Sequence, residues 1–123
     1  MTIPAMASRW QAAWQSLDPD TIVALYAPHS THMSDSVVRH MKRADGTLRG
    51  TADIRAFAEA TAGRLSGFRA DILDVIAEEG PEGGKASIEY WRVVNGDEAD
   101  RKRVVEIIEW RGNAITACRV FHF

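Results

Sequence analysis

FRADILDVIAE (Phe68–Glu78), KASIEYWRVV (Lys85–Val94), KRVVEIIEWR (Lys102–Arg111) and AITACRVFHF (Ala114–Phe123) are the segments of this chain that decide its fold. Apolar side chains recur at every second position along much of each segment, which is the period of a β-strand. The connections are short, and Gly112-Asn113 has the composition of a two-residue hairpin loop. The pattern therefore predicts an antiparallel meander in the second half of the chain.

The first half of the chain has a different period. Apolar residues there recur at spacings of three and four, which is typical of helices that bury one face. The pattern predicts helices at Ala5–Leu17, Asp20–Ala27 and Thr51–Leu65. Pro28 is expected to end the second helix, because a proline disfavours helical geometry in the residue before it. Between the second and third helices we expect a strand over Ser30–Val38, a loop or hairpin over Arg39–Thr47 and a short returning strand over Leu48–Gly50.

Helices followed by an antiparallel meander indicate an α+β fold with the helices packed on one face of the sheet. A strongly curved sheet of this kind can enclose a pocket, where function would be located. The predicted strands carry apolar residues on both faces, whereas a sheet with one wet face alternates more cleanly. We therefore expect a second copy of the chain to cover the outer face, as a homodimer.

Size and composition fit one domain spanning residues 1–123, of which 46% are hydrophobic. The formal net charge is −2, so the sequence shows no basic field suited to nucleic acid. Cys118 is the single cysteine, which excludes an intramolecular disulfide. The chain shows no apolar run of membrane-spanning length and no pattern of a secretory signal. These features predict a cytoplasmic protein that does not act on membranes.

Several short motifs, in their order and spacing, resemble one known superfamily. Asp20-x-x-x-Ala24-Leu25-Tyr26-Ala27 leads into Ser30-Thr31-His32, then Arg49-Gly50-x-x-x-Ile54-Arg55-x-Phe57 follows, and the meander ends in Arg119-Val120-Phe121-His122-Phe123. Nearly the whole chain is similar to the nuclear transport factor 2-like (NTF2-like) superfamily, in its SnoaL-like and ketosteroid isomerase-like branch. The resemblance implies a cone of three helices on a strongly curved, mostly antiparallel sheet, usually dimeric. The superfamily contains isomerases, cyclases, dehydratases, epoxide hydrolases and non-catalytic binders, so the fold alone does not give the function.

The resemblance also implies positions for catalytic groups. The carboxylate base of steroid isomerases falls on Ser34, with Asp35 next to it, and using Asp35 would need a one-residue slip of the strand. The oxyanion-donating tyrosine of the family corresponds to Trp10, and its protonated aspartate corresponds roughly to Glu106. An aspartate on the last strand of some cyclases falls near Val120. The resemblance therefore does not imply steroid isomerisation by the family's usual mechanism.

Three residues are our candidates for acid/base chemistry. His32 is expected to face the cone interior and to exchange a proton near neutral pH; the alternative is a core or rim histidine bonded to backbone. Glu106 interrupts the apolar run 104–108, and burial would raise its pKa; the alternative is a carboxylate paired with Arg103 or Arg119. Asp35 is a candidate base, or else an ordinary solvated carboxylate.

A second group of residues is expected to line a ligand site. The aromatic members are as readily explained as core residues, and Arg119 as one partner of a cross-strand ion pair. The set comprises Trp10, Trp14, Ser34, Phe57, Tyr90, Ile108, Trp110, Arg119 and Phe121.

We expect neither a metal nor a cofactor. His29, His32 and His40 lie close in the sequence but without the spacing of metal ligands. A Cys118–His122 nucleophile pair is not favoured either, because residues four apart on a strand lie about 13 Å apart. The sequence thus predicts a pocket for a small hydrophobic or ring-containing molecule, with cofactor-free proton transfer of the isomerase, dehydratase or cyclase type. The alternative is a non-catalytic ligand-binding or dimeric interaction module.

Overall fold

The computed structural model describes residues 2–123, and within them the chain forms four α-helices, one 3-10 turn and a six-stranded sheet. In chain order the elements are α1 Ala5–Ser16, α2 Pro19–Val23, β1 Tyr26–Met33, α3 Asp35–Met41, β2 Thr47–Arg49, α4 Thr51–Arg64, β3 Phe68–Gly80, β4 Gly83–Val94, the 3-10 turn Glu98–Asp100, β5 Lys102–Arg111 and β6 Ala114–His122.

The strand order is β2-β1-β6-β5-β4-β3, and the neighbouring strands pair antiparallel except for the parallel pair β1–β6. The four strands of the second half form the predicted meander, in which each strand lies beside its successor. The predicted α+β architecture, with helices on a curved and mostly antiparallel sheet, is confirmed.

Helices α1 and α4 bury the faces that contact the sheet. The apolar stripe of α1 includes Trp10 and Trp14, which are 1% and 7% exposed. The stripe of α4 includes Ile54 and Phe57, and both helices contribute to one core with the inner face of the sheet. Burying each such side chain contributes roughly 1.5–3 kcal/mol, which is why the three-and-four spacing fixes the orientation of these helices.

The prediction that Pro28 ends the second helix is wrong. Helix α2 ends at Val23, and Pro28 lies inside strand β1. The pairing of β1 with β6 is interrupted between Tyr26 and Thr31, so the missing N–H of the proline removes no ladder hydrogen bond there. A break in strand pairing is one of the few places inside a sheet that accept a proline. The break depends on a partner strand distant in the sequence, so the sequence around Pro28 could not reveal it.

The predicted strand Ser30–Val38 is wrong beyond Met33, and the prediction of three helices misses α3. The side chain of Ser34 accepts a hydrogen bond from the backbone N–H of Ser36 at 3.1 Å and caps α3. The predicted loop Arg39–Thr47 therefore begins as the second half of a helix. Gly46, at φ 66°, lets the chain turn back toward β2, and its carbonyl accepts from Ser34 N–H at 2.9 Å.

Two irregularities change which strand residues face inward. On β3 the register shifts between Ile72 and Asp74, so Val75 packs against the core and Ile76 is 71% exposed. On β6 the shift lies near Ile115, and the alternation predicted from that residue onward is inverted. Phe121, predicted to line the pocket, consequently lies on the outer face and is 42% exposed.

Candidate functional site

A pocket with a cavity volume of about 60 Å³ lies between helices α1 and α4 and the inner face of the sheet. A cavity of this size holds a few water molecules, since one water needs roughly 10–15 Å³ by this measure. Seven of the predicted residues line it: Trp10, Trp14, His32, Ser34, Phe57, Tyr90 and Glu106. Aromatic rings and polar side chains both contribute to the wall, a combination found in small-molecule sites.

Glu106 is the buried carboxyl group of the pocket floor, 4% exposed. Trp10 Nε1 donates to its Oε2 at 2.8 Å, and Tyr90 Oη donates to its Oε1 at 2.8 Å. Cys118 Sγ also donates to Oε2, at 2.9 Å. Burial raises the pKa of Glu106, and the three hydrogen bonds to the carboxylate oppose that shift in part. The group is therefore balanced between its charged and neutral forms more closely than an exposed glutamate.

Cys118 supports this carboxyl group and is not an exposed nucleophile. Its side chain is 1% exposed, and burial, with the charge of Glu106 as the next cause, raises the pKa of its thiol well above the usual value. The residue therefore stays protonated and donates its S–H to the carboxyl group.

His32 lies inside an aromatic enclosure and is 3% exposed. Its ring lies 5.3 Å from the ring of Phe57 and 6.1 Å from that of Trp14, measured between centroids. Burial lowers the pKa of His32 to about 4, so the imidazole is neutral at neutral pH. Its Nδ1 is buried and has no hydrogen-bond partner among residues 2–123. A bound molecule with one polar atom could supply that partner.

Two further buried polar atoms on the pocket wall also lack partners within the described part of the chain: Thr61 Oγ1 and His122 Nδ1. An unsatisfied buried donor or acceptor costs about 1–3 kcal/mol, and such groups are uncommon in folded proteins. Together with His32, they place three unsatisfied polar atoms around one cavity. The arrangement is suited to a ligand, or to ordered water, that carries several hydrogen-bonding atoms.

The strand register sets the depth of each group in the pocket. Ile88, Glu106 and Val120 are paired across β4, β5 and β6. The mouth of the pocket is the end lined by the partly exposed residues Arg64, Leu65, Phe68 and Arg92. His122 pairs with Val104, two residues nearer this mouth than Glu106, and Arg92 lies four residues beyond Ile88 on β4. At roughly 3.3 Å per residue, the backbone of Arg92 is about 13 Å nearer the mouth than the level of Glu106.

His32 lies on the other side of β6 from Glu106. Its register partner is Cys118, the residue that donates to Glu106. Strands β1 and β5 flank β6, adjacent strands lie about 4.8 Å apart, and the register sets the two residues two positions apart along the strands, so their backbones are about 12 Å apart. Both side chains line the same pocket, and the space between them is where a substrate would contact both.

The mouth of the pocket is positively charged. Arg64, in the last turn of α4, and Arg92 line it, and neither forms a salt bridge within residues 2–123. Burial lowers the pKa of both guanidinium groups, and Arg39 lowers each further by repulsion. Burial also lowers the pKa of His122, and repulsion from Arg92 adds to the effect.

Five predicted site residues lie outside the pocket lining. Asp35 is in the first turn of α3, exposed, and paired with Arg39 at 3.0 Å. Arg119 pairs with Glu109 at 2.6 Å on the outer face of the sheet, the ion pair considered as its alternative. Ile108 and Trp110 are buried core residues nearer the closed end of β5, and Phe121 is on the outer face.

Sequence reasoning missed the following lining residues: Ser36, Thr61, Arg64, Leu65, Phe68, Arg92, Val120 and His122. One of these residues, Arg92, could have been predicted from the alternation of its strand. Arg92 alternates with Ile88 and Tyr90, so it lies on the inward face of β4, where a charge needs a reason. Ser36 and Arg64 had no such signal, because α3 was not predicted and a basic residue at the end of a helix is ordinary.

Within residues 2–123 no cluster of three His, Cys, Asp or Glu side chains is arranged to hold a metal ion. None of the helices over the same span is long and apolar enough to cross a membrane.

A family model described as a SnoaL-like domain matches residues 7–118. No curated protein matches the chain. Among solved structures, a SnoaL-like protein of unknown function from Burkholderia thailandensis superposes with a TM-score of 0.75 at 18% identity, covering 98% of this chain and 97% of that one. A candidate dehydratase of the NTF2-like family from Streptomyces avermitilis gives 0.78 at 10% identity, covering 96% and 91%. A candidate polyketide cyclase from Sinorhizobium meliloti gives 0.74 at 13%, covering 97% and 95%.

At these identities the solved structures show a shared fold and not a shared activity. They agree with the resemblance found in the sequence, because the neighbours are described as SnoaL-like and NTF2-like. The expected fold is thereby confirmed.

Proposed function

Because this chain belongs to the SnoaL-like domain family, we propose that it catalyses cofactor-free proton transfer on a small hydrophobic or ring-containing molecule, as an isomerase, dehydratase or cyclase. The observation that carries the proposal is the pocket itself, which has a buried carboxyl group and a neutral histidine with an unpartnered nitrogen on one aromatic wall. Two groups whose environments shift their pKa values in opposite directions are typical of acid/base sites. The neighbours described as a candidate cyclase and a candidate dehydratase are compatible with this class of reaction.

Glu106 is the better group to carry the proton. An efficient general acid or base has a pKa near the working pH, and burial moves the pKa of Glu106 upward toward neutrality. Burial moves the pKa of His32 down to about 4, so at pH 7 only about one molecule in a thousand carries a charged imidazole. We therefore assign proton exchange to Glu106, and hydrogen bonding to a substrate oxygen to the neutral His32.

The apolar wall would hold the carbon skeleton of the substrate. Trp14 and Phe57 flank His32, and Tyr90 stands beside Glu106. Exclusion of water by these rings strengthens hydrogen bonds and charge interactions inside the pocket. A developing negative charge on a substrate oxygen would then be stabilised without a metal.

One observation favours the alternative, a non-catalytic binder. Three donors already engage the carboxyl oxygens of Glu106, which is also how a purely structural buried carboxylate is held. In that case the pocket would bind its ligand without changing it.

Exchange of substrate protons with solvent separates the two functions. The protein is incubated in D2O with a panel of small enolisable ketones and carboxylates, and loss of the exchangeable proton signal is followed by NMR. For an enzyme, we expect exchange that falls roughly 100-fold or more in Glu106→Gln, because a positioned acid/base group typically contributes 10²–10⁴-fold. His32→Gln should also slow exchange, and Arg111→Met, at the closed end of β5, is the control.

Glutamine suits this test because it keeps the local hydrogen bonds. Its carbonyl can accept from Trp10 Nε1, which can only donate, while its NH₂ group faces the rotatable hydroxyl of Tyr90. Thermal unfolding should confirm that Glu106→Gln is folded. Ligand-induced stabilisation without exchange above the buffer rate would instead support the binder.

A further inference from the structure

The mouth of the pocket contains charge that the proposed proton transfer does not use. Arg64 and Arg92 both line the opening, and neither has a carboxylate partner in the described part of the chain. Neither guanidinium donates a side-chain hydrogen bond within the same residues. Arg92 is half-buried, and no salt bridge within residues 2–123 offsets its cost of desolvation.

Asp100 attracts Arg92 and Asp35 attracts His122 electrostatically, but each of these carboxylates forms its salt bridge with another cation. Asp35 pairs with Arg39 at 3.0 Å, and Asp100 pairs with Lys102 at 3.0 Å. Glu106 lies about four residues deeper along the strands, where its oxygens already accept three hydrogen bonds. The mouth is therefore locally positive in a chain whose formal net charge is −2. A cleft lined by one sign of charge concentrates ligands of the opposite sign.

The depth of the pocket separates two environments. At the floor, rings and a neutral imidazole suit an uncharged part of a ligand, and at the mouth two guanidinium groups suit an anion. Arginine presents a planar fork that matches a carboxylate, with two parallel hydrogen bonds. The Nδ1 atom of His122, which has no hydrogen-bond partner within residues 2–123, lies between the floor and the mouth, on the same face of β6 as Val120.

We propose that the ligand of this pocket is a small organic carboxylate, whose anionic group is held at the mouth by Arg92 and Arg64 and whose uncharged body extends toward His32. The inference rests on the pocket assigned under the proposed function, and it names the class of molecule that the pocket takes. It does not require turnover, since recognition of the anion and chemistry at the floor involve different residues.

The test uses matched pairs of probes on the full-length protein. Butyrate is compared with butyramide, and benzoate with benzamide, so that each pair differs in charge and hardly in shape. Dissociation constants are measured by NMR titration of the labelled protein. We expect each carboxylate to bind at least tenfold more tightly than its amide, with signals of His122 and Arg92 among those that move.

Arginine variants then locate the anion. Arg92→Met should weaken carboxylate binding at least tenfold and leave amide binding unchanged, and Arg64→Met should weaken it less, because Arg64 is more exposed. Arg92→Lys keeps the charge but loses the fork, so it should recover only part of the affinity. Arg111→Met is the control, since it removes the same charge at the other end of β5, roughly 30 Å from the mouth.

Several results would overturn the inference. Equal binding of acids and amides, equal effects of Arg92→Met and Arg111→Met, or no saturable binding of any probe would each do so. Tighter binding of propylphosphonate than of butyrate would overturn the choice of a carboxylate in favour of a phosphate-type anion. The outcome is independent of the proposed function: a non-catalytic binder keeps the Arg92-dependent affinity, and an enzyme for neutral substrates shows proton exchange without it.

Discussion

Protonation of His32 should destabilise the fold, and the size of the effect follows from its burial. The imidazole is 3% exposed, and burial lowers its pKa from 6.5 to about 4. In the unfolded chain the histidine gains a proton as the pH falls through about 6.5, while in the folded protein it does so only near pH 4. The unfolded state binds more protons over this window, so the free energy of unfolding falls as the pH falls.

The expected loss is the pKa difference converted to free energy. One pKa unit corresponds to about 1.4 kcal/mol, so the shift predicts that His32 removes about 3 kcal/mol of stability between pH 6.5 and pH 4. Well above pH 6.5 the residue is neutral in both states and contributes no pH dependence. This loss is a large part of the 5–15 kcal/mol typical of a domain.

Urea denaturation at a series of pH values measures the effect. The informative quantity is the difference between wild type and His32→Gln, because His122 and His40 are shifted in the same direction and contribute to both curves. His29→Gln is the control, since His29 lies on the same strand and is exposed. We expect the variant to lose the His32 part of the slope and the control to keep it.

The chemical shifts of the His32 ring provide a second readout that does not depend on unfolding. They should stay at their neutral values until the pH approaches about 4. Parallel stability curves for wild type and His32→Gln between pH 4 and pH 6.5, or a ring that titrates near 6.5, would refute the reasoning. Either result would mean that water reaches the imidazole and that the floor of the pocket is not dry.

Three further predictions concern other parts of the structure. Tyr90→Phe removes a hydrogen bond to the Glu106 carboxylate and should lower the free energy of unfolding by about 1.5–3 kcal/mol at neutral pH, and by less where Glu106 is protonated. The control is Tyr26→Phe, which removes a hydrogen bond between uncharged groups and should cost an amount that does not change with pH. Equal pH profiles of the two variants in urea denaturation would contradict this prediction. Ser34→Ala removes the cap of α3 and should lower the free energy of unfolding by about 1 kcal/mol, whereas an unchanged value would mean that the cap contributes nothing. We expect the wild-type protein to sediment as a homodimer, and Ile107→Glu, a change on the outer face of the sheet, to sediment as a monomer. A monomeric wild type would contradict the expectation that a second copy of the chain covers this face.

The second half of the fold could be predicted from the sequence because its signals are local. Alternation along β4 and β5, with Gly112 in the last turn, is legible in short windows of sequence. The register shifts on β3 and β6 were not predictable in this way, since each depends on pairing with another strand. One extra residue in a strand inverts every later side chain, which is why the sequence pattern alone predicts the wrong face for Phe121.

The same distinction applies to the candidate site: residues with a local signal in the sequence could be predicted, and residues placed by tertiary structure could not. Glu106 was found because a charge within an apolar strand segment is anomalous in the sequence alone. Asp35 was not excluded because its position depends on Ser34, which ends the strand and starts a helix. Arg64 was missed because a basic residue at the end of a helix needs no special explanation, and only the folded structure brings it beside Arg92.

His32 and Glu106 at the floor of the pocket are buried, whereas Arg92 at its mouth is only half-buried. The backbone of Arg92 lies about 13 Å along the strand from the level of Glu106, and its charge acts on Tyr90, which donates to that carboxyl group. Burial causes the low pKa of His32, and no arginine contributes to it. Removing the charge of Arg92 should therefore change which ligand enters and leave the proton affinity of His32 as it was. Recognition of the anion at the mouth and the proton affinity of His32 are therefore separable properties of one pocket.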